Sequence, residues 1–138
     1  MIAYIDTSAL LRLVLREPGA LDELRSGDRL VSSELIVVES LRTIDRLRLQ
    51  GALSADEAAS RRQHTTEWLE AVDLVLLQQP ILARASEPFP TPLGTLDALH
   101  LATALVWRDR MRESLTLATH DKDLALAARS FGIDVLGA

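Results

Sequence analysis

Short apolar runs alternate with stretches of helical periodicity along the chain, and this alternation constrains the fold more than any other feature. Ile2–Ile5 is the first apolar run, and Leu10, Leu13 and Val14 follow it at helical spacing. A repeated strand–helix–strand order is typical of a parallel sheet with helices on both faces. The sequence therefore predicts an α/β fold, and its length suits a single domain over residues 1–138.

Capping and turn signals place the remaining elements. Ser54 and Glu57 have the spacing of a capping box at the start of a helix. Residues 86–95, with three prolines and a glycine, are predicted to form a loop. The apolar content of residues 72–77 predicts a buried strand. We predict further strands over 30–32, 115–119 and 133–136, and helices over 20–24, 34–49, 54–70, about two turns after Pro80, 96–112 and 122–131.

The composition excludes several classes of site and location. The chain has no cysteine, which excludes thiol nucleophiles, cysteine-bound zinc, iron–sulfur clusters and disulfide frameworks. No apolar stretch approaches the roughly 20 residues of a membrane span, and the first residues do not resemble a signal peptide. We therefore expect a cytoplasmic protein without a membrane partner.

The charge balance argues against direct electrostatic binding of nucleic acid. The chain has 20 acidic and 15 basic residues, which give a net charge of −5. Basic surfaces supply much of the affinity of proteins for nucleic acids, because lysine and arginine replace the counterions of the phosphates. A nucleic-acid substrate would therefore need another source of positive charge.

Four acidic residues fall where an α/β sheet places its ligands. Asp6 ends the first strand, and Asp121 lies just beyond the strand predicted at 115–119. Asp97 lies in the first turn of the helix after the proline-rich loop, and Glu39 lies early in the helix after the second strand. Ligands of open α/β sheets bind beyond the carboxyl ends of the strands, so we expect these carboxylates to converge on one rim.

Each of the four also has a purely structural explanation. The three aspartates stand at or near the starts of helices, where aspartate caps the helix and interacts with its dipole. Glu39 shares a helical face with Arg42 and Arg46, which is typical of exposed ion pairs. From the residues alone, these explanations stay open beside the functional one.

Carboxylates that converge require a compensating cation. Two of them 4 Å apart repel by about 4 kcal/mol at an effective dielectric constant near 20. Oxygen ligands without cysteine or histidine favour Mg²⁺ or Mn²⁺, which activate water and stabilise charge on a phosphate. Such an ion would let an acidic site meet a polyanion, with Arg42, Arg46 and Arg48 holding the flanking phosphates.

Four motifs, in order along nearly the whole chain, resemble those of a known family. YIDTSALLRLVL at residues 4–15 and SSELIVVESLR at residues 32–42 are similar to the first two motifs of PIN-domain nucleases. LDALHLATAL at residues 96–105 and LATHDKDLALAARSFGIDV at residues 117–135 are similar to the third and fourth. The resemblance is strongest to VapC-type toxins of bacterial toxin–antitoxin (VapBC) pairs.

The resemblance implies a fold, an activity and partners. The fold is a three-layer α/β/α arrangement around a central parallel sheet. The activity is that of an endoribonuclease that needs Mg²⁺ or Mn²⁺, cleaves tRNA, rRNA or mRNA and so inhibits translation. The partners are a VapB-type antitoxin, an RNA substrate and a second copy of the chain in a homodimer.

The resemblance also assigns roles to individual residues. It makes the four acids both catalytic and metal-binding, while Arg42 and Arg46 are RNA-binding candidates because of their place on the helix of Glu39. The hydroxyls of Ser8 and Thr119 would support the acids, and Asp123 is an additional acid beside the fourth motif. One departure is His120, where many relatives carry an aromatic residue such as tyrosine. The implied catalytic and metal-binding acids are Asp6, Glu39, Asp97 and Asp121.

Two other functions remain open on the sequence. The chain could be a non-catalytic module that binds RNA or an antitoxin. A phosphatase of the haloacid dehalogenase type is less well supported, because Ser8 stands where such enzymes have their second aspartate and Lys122 is the only lysine. For His100, three residues after Asp97, packing or a structural hydrogen bond is the expected role.

Overall fold

The computed structural model describes residues 1–27 and 29–138, and its centre is a five-stranded sheet. The strand order is β3-β2-β1-β4-β5, and every neighbouring pair is parallel. The predicted α/β fold with a parallel sheet is therefore confirmed. The strands are β1 (Ile2–Ile5), β2 (Arg29–Ser33), β3 (Val72–Val75), β4 (Thr116–Ala118) and β5 (Asp134–Leu136).

Helices cover both faces of this sheet. Side chains alternate along β1, so Ala3 and Ile5 pack into a cluster with the first three helices while Tyr4 packs into a second cluster with the last two. Two apolar cores on opposite faces make the three-layer α/β/α arrangement that the resemblance implied. The helices are α1 (Thr7–Val14), α2 (Leu35–Leu49), α3 (Ala55–Glu70), α4 (Gln79–Ala85), α5 (Thr95–Met111) and α6 (Lys122–Ser130).

Most predicted helices lie within a few residues of the observed ones, because their caps are encoded locally. The capping box of Ser54 and Glu57 forms at the start of α3, with both of its hydrogen bonds present. The helix predicted at 20–24 is instead a 3₁₀ helix at Asp22–Ser26. No helix in the described ranges is long and apolar enough to cross a membrane.

The prediction of a buried strand at 72–77 is wrong. β3 is an edge strand, and Asp73 and Leu74 are exposed. The strand ends at Val75, after which the backbone N–H of Leu77 donates to the Glu34 carboxylate at 3.0 Å. An apolar run alone does not distinguish a central strand from an edge strand, since edge strands are half solvated.

The strand order creates a crevice between β1 and β4. From β1 the chain moves in one direction to β2 and β3, and it later returns to add β4 and β5 on the other side. The connections that leave β1 and β4 therefore run in opposite directions. Open α/β sheets bind their ligands in the crevice between two such strands. Asp6 follows β1 and Asp121 follows β4, so both lie beside this crevice.

Candidate active site

Asp6 is held rigidly at the carboxyl end of β1. Its side chain is only 3% exposed. One oxygen, Oδ1, accepts hydrogen bonds from the Ser8 hydroxyl at 2.6 Å and from the Ala9 backbone N–H at 2.9 Å. The other, Oδ2, accepts from the Thr119 hydroxyl at 2.5 Å. These three donors come from β1–α1 and from the end of β4, so they fix the carboxylate between the two strands.

Hydroxyl groups continue this network across the crevice. Thr119 is fully buried, and its oxygen accepts from the backbone N–H of Asp121 at 3.0 Å. The Ser8 oxygen accepts from the backbone N–H of His120, also at 3.0 Å. Each hydroxyl therefore donates to Asp6 and accepts from the segment that follows β4, which ties the two strand ends together.

Asp121 caps the helix that follows β4. Its Oδ1 accepts the backbone N–H of Leu124 at 2.7 Å, as Asp6 does for Ala9 in α1. The capping explanation is thus confirmed for both aspartates. Capping does not compete with a site role here, because it fixes each carboxylate at the carboxyl end of a strand, on the rim of the crevice.

Asp97 lies in the first turn of α5 and does not cap it, since the N-cap position is Gly94. Burial raises the pKa of the Asp97 carboxyl, and the negative charges of Asp121 and Asp6 raise it further. His100 opposes this shift, and Glu39 adds to it. A helix N-terminus ordinarily lowers the pKa of a carboxyl. Burial and the neighbouring acids outweigh that effect, so the four carboxylates share one electrostatic environment.

Glu39 is bonded to a buried histidine. Its Oε1 lies 2.6 Å from Nε2 of His100, which is 1% exposed. The explanation of Glu39 as part of an arginine ion-pair stripe is wrong in the described structure, where Arg42 pairs with Asp45 at 3.2 Å and Arg46 bonds to the Thr43 hydroxyl. The sequence predicts that His100 shares a helix face with Asp97, but it carries no signal for the contact with Glu39, which is 61 residues away.

The other charged candidate residues are more exposed than the four acids. Arg42 and Arg46 are exposed on α2, the helix that carries Glu39. Asp123 and Lys122 are exposed at the start of α6. The contact that we find for Asp123 runs through its backbone carbonyl, which accepts from Thr91 at 2.8 Å. The side chain of Asp123 is thus exposed, whereas those of the four acids are buried or partly buried.

The chemistry of the acids fits a hard divalent cation. Carboxylate oxygens are the ligands that Mg²⁺ and Mn²⁺ prefer, and a cation would relieve the repulsion that raises the pKa of Asp97. Within residues 1–27 and 29–138, no three such side chains are already arranged to hold a metal ion. The bond between Glu39 and His100 is one of the contacts that hold the Glu39 carboxylate in its present position.

Comparison with known proteins decides the family. The PIN domain family model matches residues 3–130, nearly the whole chain. The chain belongs to the PIN domain family. It is 34% identical to Ribonuclease VapC46 of Mycobacterium tuberculosis, across 96% of this chain and 95% of that protein. It is 30% identical to Ribonuclease VapC47 of Mycobacterium tuberculosis, across 94% of this chain and 91% of that protein. The resemblance of this PIN domain to VapC-type proteins is therefore confirmed.

Solved structures share the fold of this PIN domain. A toxin–antitoxin complex from Klebsiella pneumoniae contains a chain with a TM-score of 0.61 and 22% identity, and the match covers 89% of this chain and 90% of that one. PAE2754 from Pyrobaculum aerophilum also has a TM-score of 0.61, with 19% identity, and covers 98% of this chain and 89% of that one. At such identities the likeness is one of fold.

Proposed function

We propose that this PIN domain is a metal-dependent endoribonuclease and the toxin of a toxin–antitoxin pair. The observation that carries the proposal is geometric: Asp6 and Asp121 follow β1 and β4 beside the crevice and are joined through the Thr119 hydroxyl. The charges of Asp121, Asp6 and Glu39 all act on Asp97, which supports a common site for the four acids. Two relatives across nearly the whole chain bear the name ribonuclease, which supports a nuclease activity.

The four acids would hold the cation. A bound Mg²⁺ or Mn²⁺ would activate water and neutralise charge on the phosphate of the RNA. Asp6 contributes a rigid carboxylate, because three donors fix both of its oxygens. Ser8 and Thr119 supply two of those donors and so position Asp6. The residues proposed to bind metal are Asp6, Glu39, Asp97 and Asp121.

Exposed arginines on the helix of Glu39 offer contacts for RNA phosphates, although the net charge of the chain is −5. Arg42 and Arg46 are exposed on the same helix as Glu39, where they can contact phosphates that flank the cleaved bond. Arg42 is paired with Asp45 on the surface, and exposed pairs of this kind contribute little and are easily exchanged. We propose that RNA phosphates replace Asp45 as the partner of Arg42.

The toxin role implies partners. We propose a VapB-type antitoxin, supported by the names of the relatives and by the toxin–antitoxin complex among the structural neighbours. We also propose a homodimer. Exposed apolar side chains on α2, β3–α4 and α6 offer surface for such contacts, and they include Val38, Leu49, Leu76 and Leu126. Light scattering of the purified chain, alone and with its co-expressed neighbour gene product, measures both assemblies.

An RNA cleavage assay tests the proposed activity. The purified chain is incubated with tRNAs and rRNA fragments in Mg²⁺, in Mn²⁺ or in EDTA, beside the variants Asp6→Asn and Asp109→Asn. Asn keeps an acceptor oxygen for the helix cap of Asp6 and removes its charge, and circular dichroism verifies that the variant is folded. Asp109 is an exposed acid at the far end of α5, so its variant is the matched control.

We expect discrete cleavage that requires the metal, is lost in Asp6→Asn and persists in Asp109→Asn. Cleavage by Asp6→Asn in EDTA would refute the four-carboxylate mechanism. A chain that binds RNA but leaves it intact under all conditions would instead favour the non-catalytic binding module.

A further inference from the structure

A buried chain of polar groups leads from the centre of the sheet to the acid cluster. The hydroxyl of Tyr4, on the central strand β1, lies 2.8 Å from Nδ1 of His100. The other ring nitrogen of His100, Nε2, lies 2.6 Å from Oε1 of Glu39. Tyr4 is fully buried and His100 is 1% exposed, so water does not compete for these bonds. Such a buried network is retained only when every member has a partner.

Counting protons fixes the direction of each bond. The Tyr4 oxygen accepts the backbone N–H of Ser33 at 3.1 Å. Burial raises the pKa of the Tyr4 hydroxyl far above its usual range, so the phenol keeps its proton. The hydroxyls of Ser32 and Thr103, which also approach Tyr4, donate their own protons to backbone carbonyls. Nδ1 of His100 lies 2.8 Å from the Tyr4 oxygen, so we infer that the Tyr4 proton is donated to this nitrogen.

A histidine that accepts a hydrogen bond at Nδ1 carries a proton on Nε2. That proton is then donated to the Glu39 carboxylate. The hydroxyl of Thr7 also lies near Nε2, but at 3.5 Å it is much further away than Glu39. The tautomer set by Tyr4 thus decides whether Glu39 receives a hydrogen bond.

We propose that Tyr4 and His100 are positioning residues that orient Glu39 for the reaction, with Tyr4 selecting the histidine tautomer that donates to the carboxylate. The proposal rests on the proposed nuclease function. Asp6 is fixed by three donors, whereas Glu39 stands on a long side chain near the start of α2. The bond from His100 is what restrains the rotation of that carboxylate, and groups that orient a metal-binding carboxylate in this way change affinity or activity by about 10–100-fold when they are removed.

Nitrogen NMR of the labelled protein tests the tautomer without any need for activity. The chemical shifts of the two ring nitrogens distinguish a protonated from an unprotonated position, and the His100→Gln spectrum assigns the His100 signals among those of the three histidines. At neutral pH we expect a protonated Nε2 and an unprotonated Nδ1 in the wild-type chain, and a mixture of tautomers in Tyr4→Phe. A protonated Nδ1 in the wild-type chain would overturn the proposal.

Kinetics test the effect on Glu39. Tyr4→Phe removes one oxygen and keeps the packed ring, and Thr65→Val is its control, since Thr65 is a buried hydroxyl bonded only to the backbone of α3. We expect Tyr4→Phe to lower kcat about 10-fold with little change in KM, and Thr65→Val to leave both unchanged. His100→Leu should lower kcat about 100-fold, and His100→Gln, which keeps an N–H near the position of Nε2, should restore part of that loss.

A double variant distinguishes an effect of Tyr4 that acts through His100 from a general loss of structure. If Tyr4 acts through His100, Tyr4→Phe has less than about a twofold effect in the His100→Gln background. A full additional loss there, or an unchanged kcat in Tyr4→Phe, would contradict the proposal. If the wild-type chain does not cleave RNA, the proposed function has failed, and the NMR result still decides the tautomer on its own.

Discussion

Replacing Thr119 with valine tests whether the hydroxyl network at the crevice stabilises the fold. Valine has nearly the same shape, so Thr119→Val changes the hydrogen bonds and keeps the packing. It removes the bond that the hydroxyl donates to Asp6 at 2.5 Å and the bond that it accepts from the Asp121 N–H at 3.0 Å. Thr119 is fully buried, so water does not replace either bond in the folded chain.

The expected cost follows from the nature of the two bonds. A hydrogen bond to a charged group contributes about 1.5–3 kcal/mol, and a polar group left without its partner costs at least about 1 kcal/mol. The added methyl group regains about 0.8 kcal/mol through apolar burial. We therefore expect Thr119→Val to lower the free energy of unfolding by about 2–4 kcal/mol.

Urea denaturation followed by tryptophan fluorescence measures this loss, with Trp68 and Trp107 as probes. Thr65→Val is the matched control, because Thr65 is equally buried but donates to a carbonyl of its own helix at 2.8 Å. That neutral bond is worth about 1 kcal/mol at most, and the methyl group offsets it. If the two variants lose the same stability at equal m-values, the bond to Asp6 has no special weight and the reasoning is wrong.

Two further predictions concern charge and backbone conformation. Because the pKa of Asp97 is raised, its ionised form destabilises the fold. Asp97→Asn should therefore melt at a higher temperature than the wild type at neutral pH. The same variant should lose RNA cleavage by at least about 100-fold. The thermal advantage should vanish below the ordinary pKa of aspartate, about 3.9, whereas Asp109→Asn should show little pH-dependent change across the same range. Gly137 has a φ of +97°, and an added Cβ would lie 2.5 Å from the Thr119 carbonyl oxygen. Gly137→Ala should therefore lower the free energy of unfolding, measured by urea denaturation, by about 1–3 kcal/mol. A loss smaller than about 0.5 kcal/mol would mean that the backbone at Gly137 moves to make room for the methyl group.

The sequence predicted those features that are encoded over a few neighbouring residues. The first strand, the caps at Asp6 and Asp121 and the capping box at Ser54 all depend on contacts between residues at most three apart, and the structure has them. The strand predicted at 72–77 forms at Val72–Val75, but the expectation that it is buried is wrong, because apolar residues do not specify how many neighbours a strand has. Edge or centre is a property of the whole sheet.

Part of the site could be predicted because three of its acids follow strands or begin helices that the sequence indicates. The fold rule that ligands bind beyond strand ends was enough to gather the four acids. The partner of Glu39 was not predictable, because His100 is 61 residues away and its pairing depends on how α2 and α5 cross the sheet. Tyr4 resembled any apolar strand residue in the sequence, and only the packed structure brings its hydroxyl to the imidazole. The roles of these residues stay predictions until the assays above are done.

The distance along the chain between the partners of the site has a consequence for timing. Asp6 and Thr119 are 113 residues apart, and Tyr4 and His100 are 96 apart. During synthesis, β1 can pair with β2 early, but its other neighbour, β4, is made only after α5 has been synthesised. A chain released before residue 119 carries Asp6 without the hydroxyl that fixes it and without Asp121. The acid cluster is therefore completed only after residue 121 has been synthesised, and synthesis interrupted before that point yields chains that lack it.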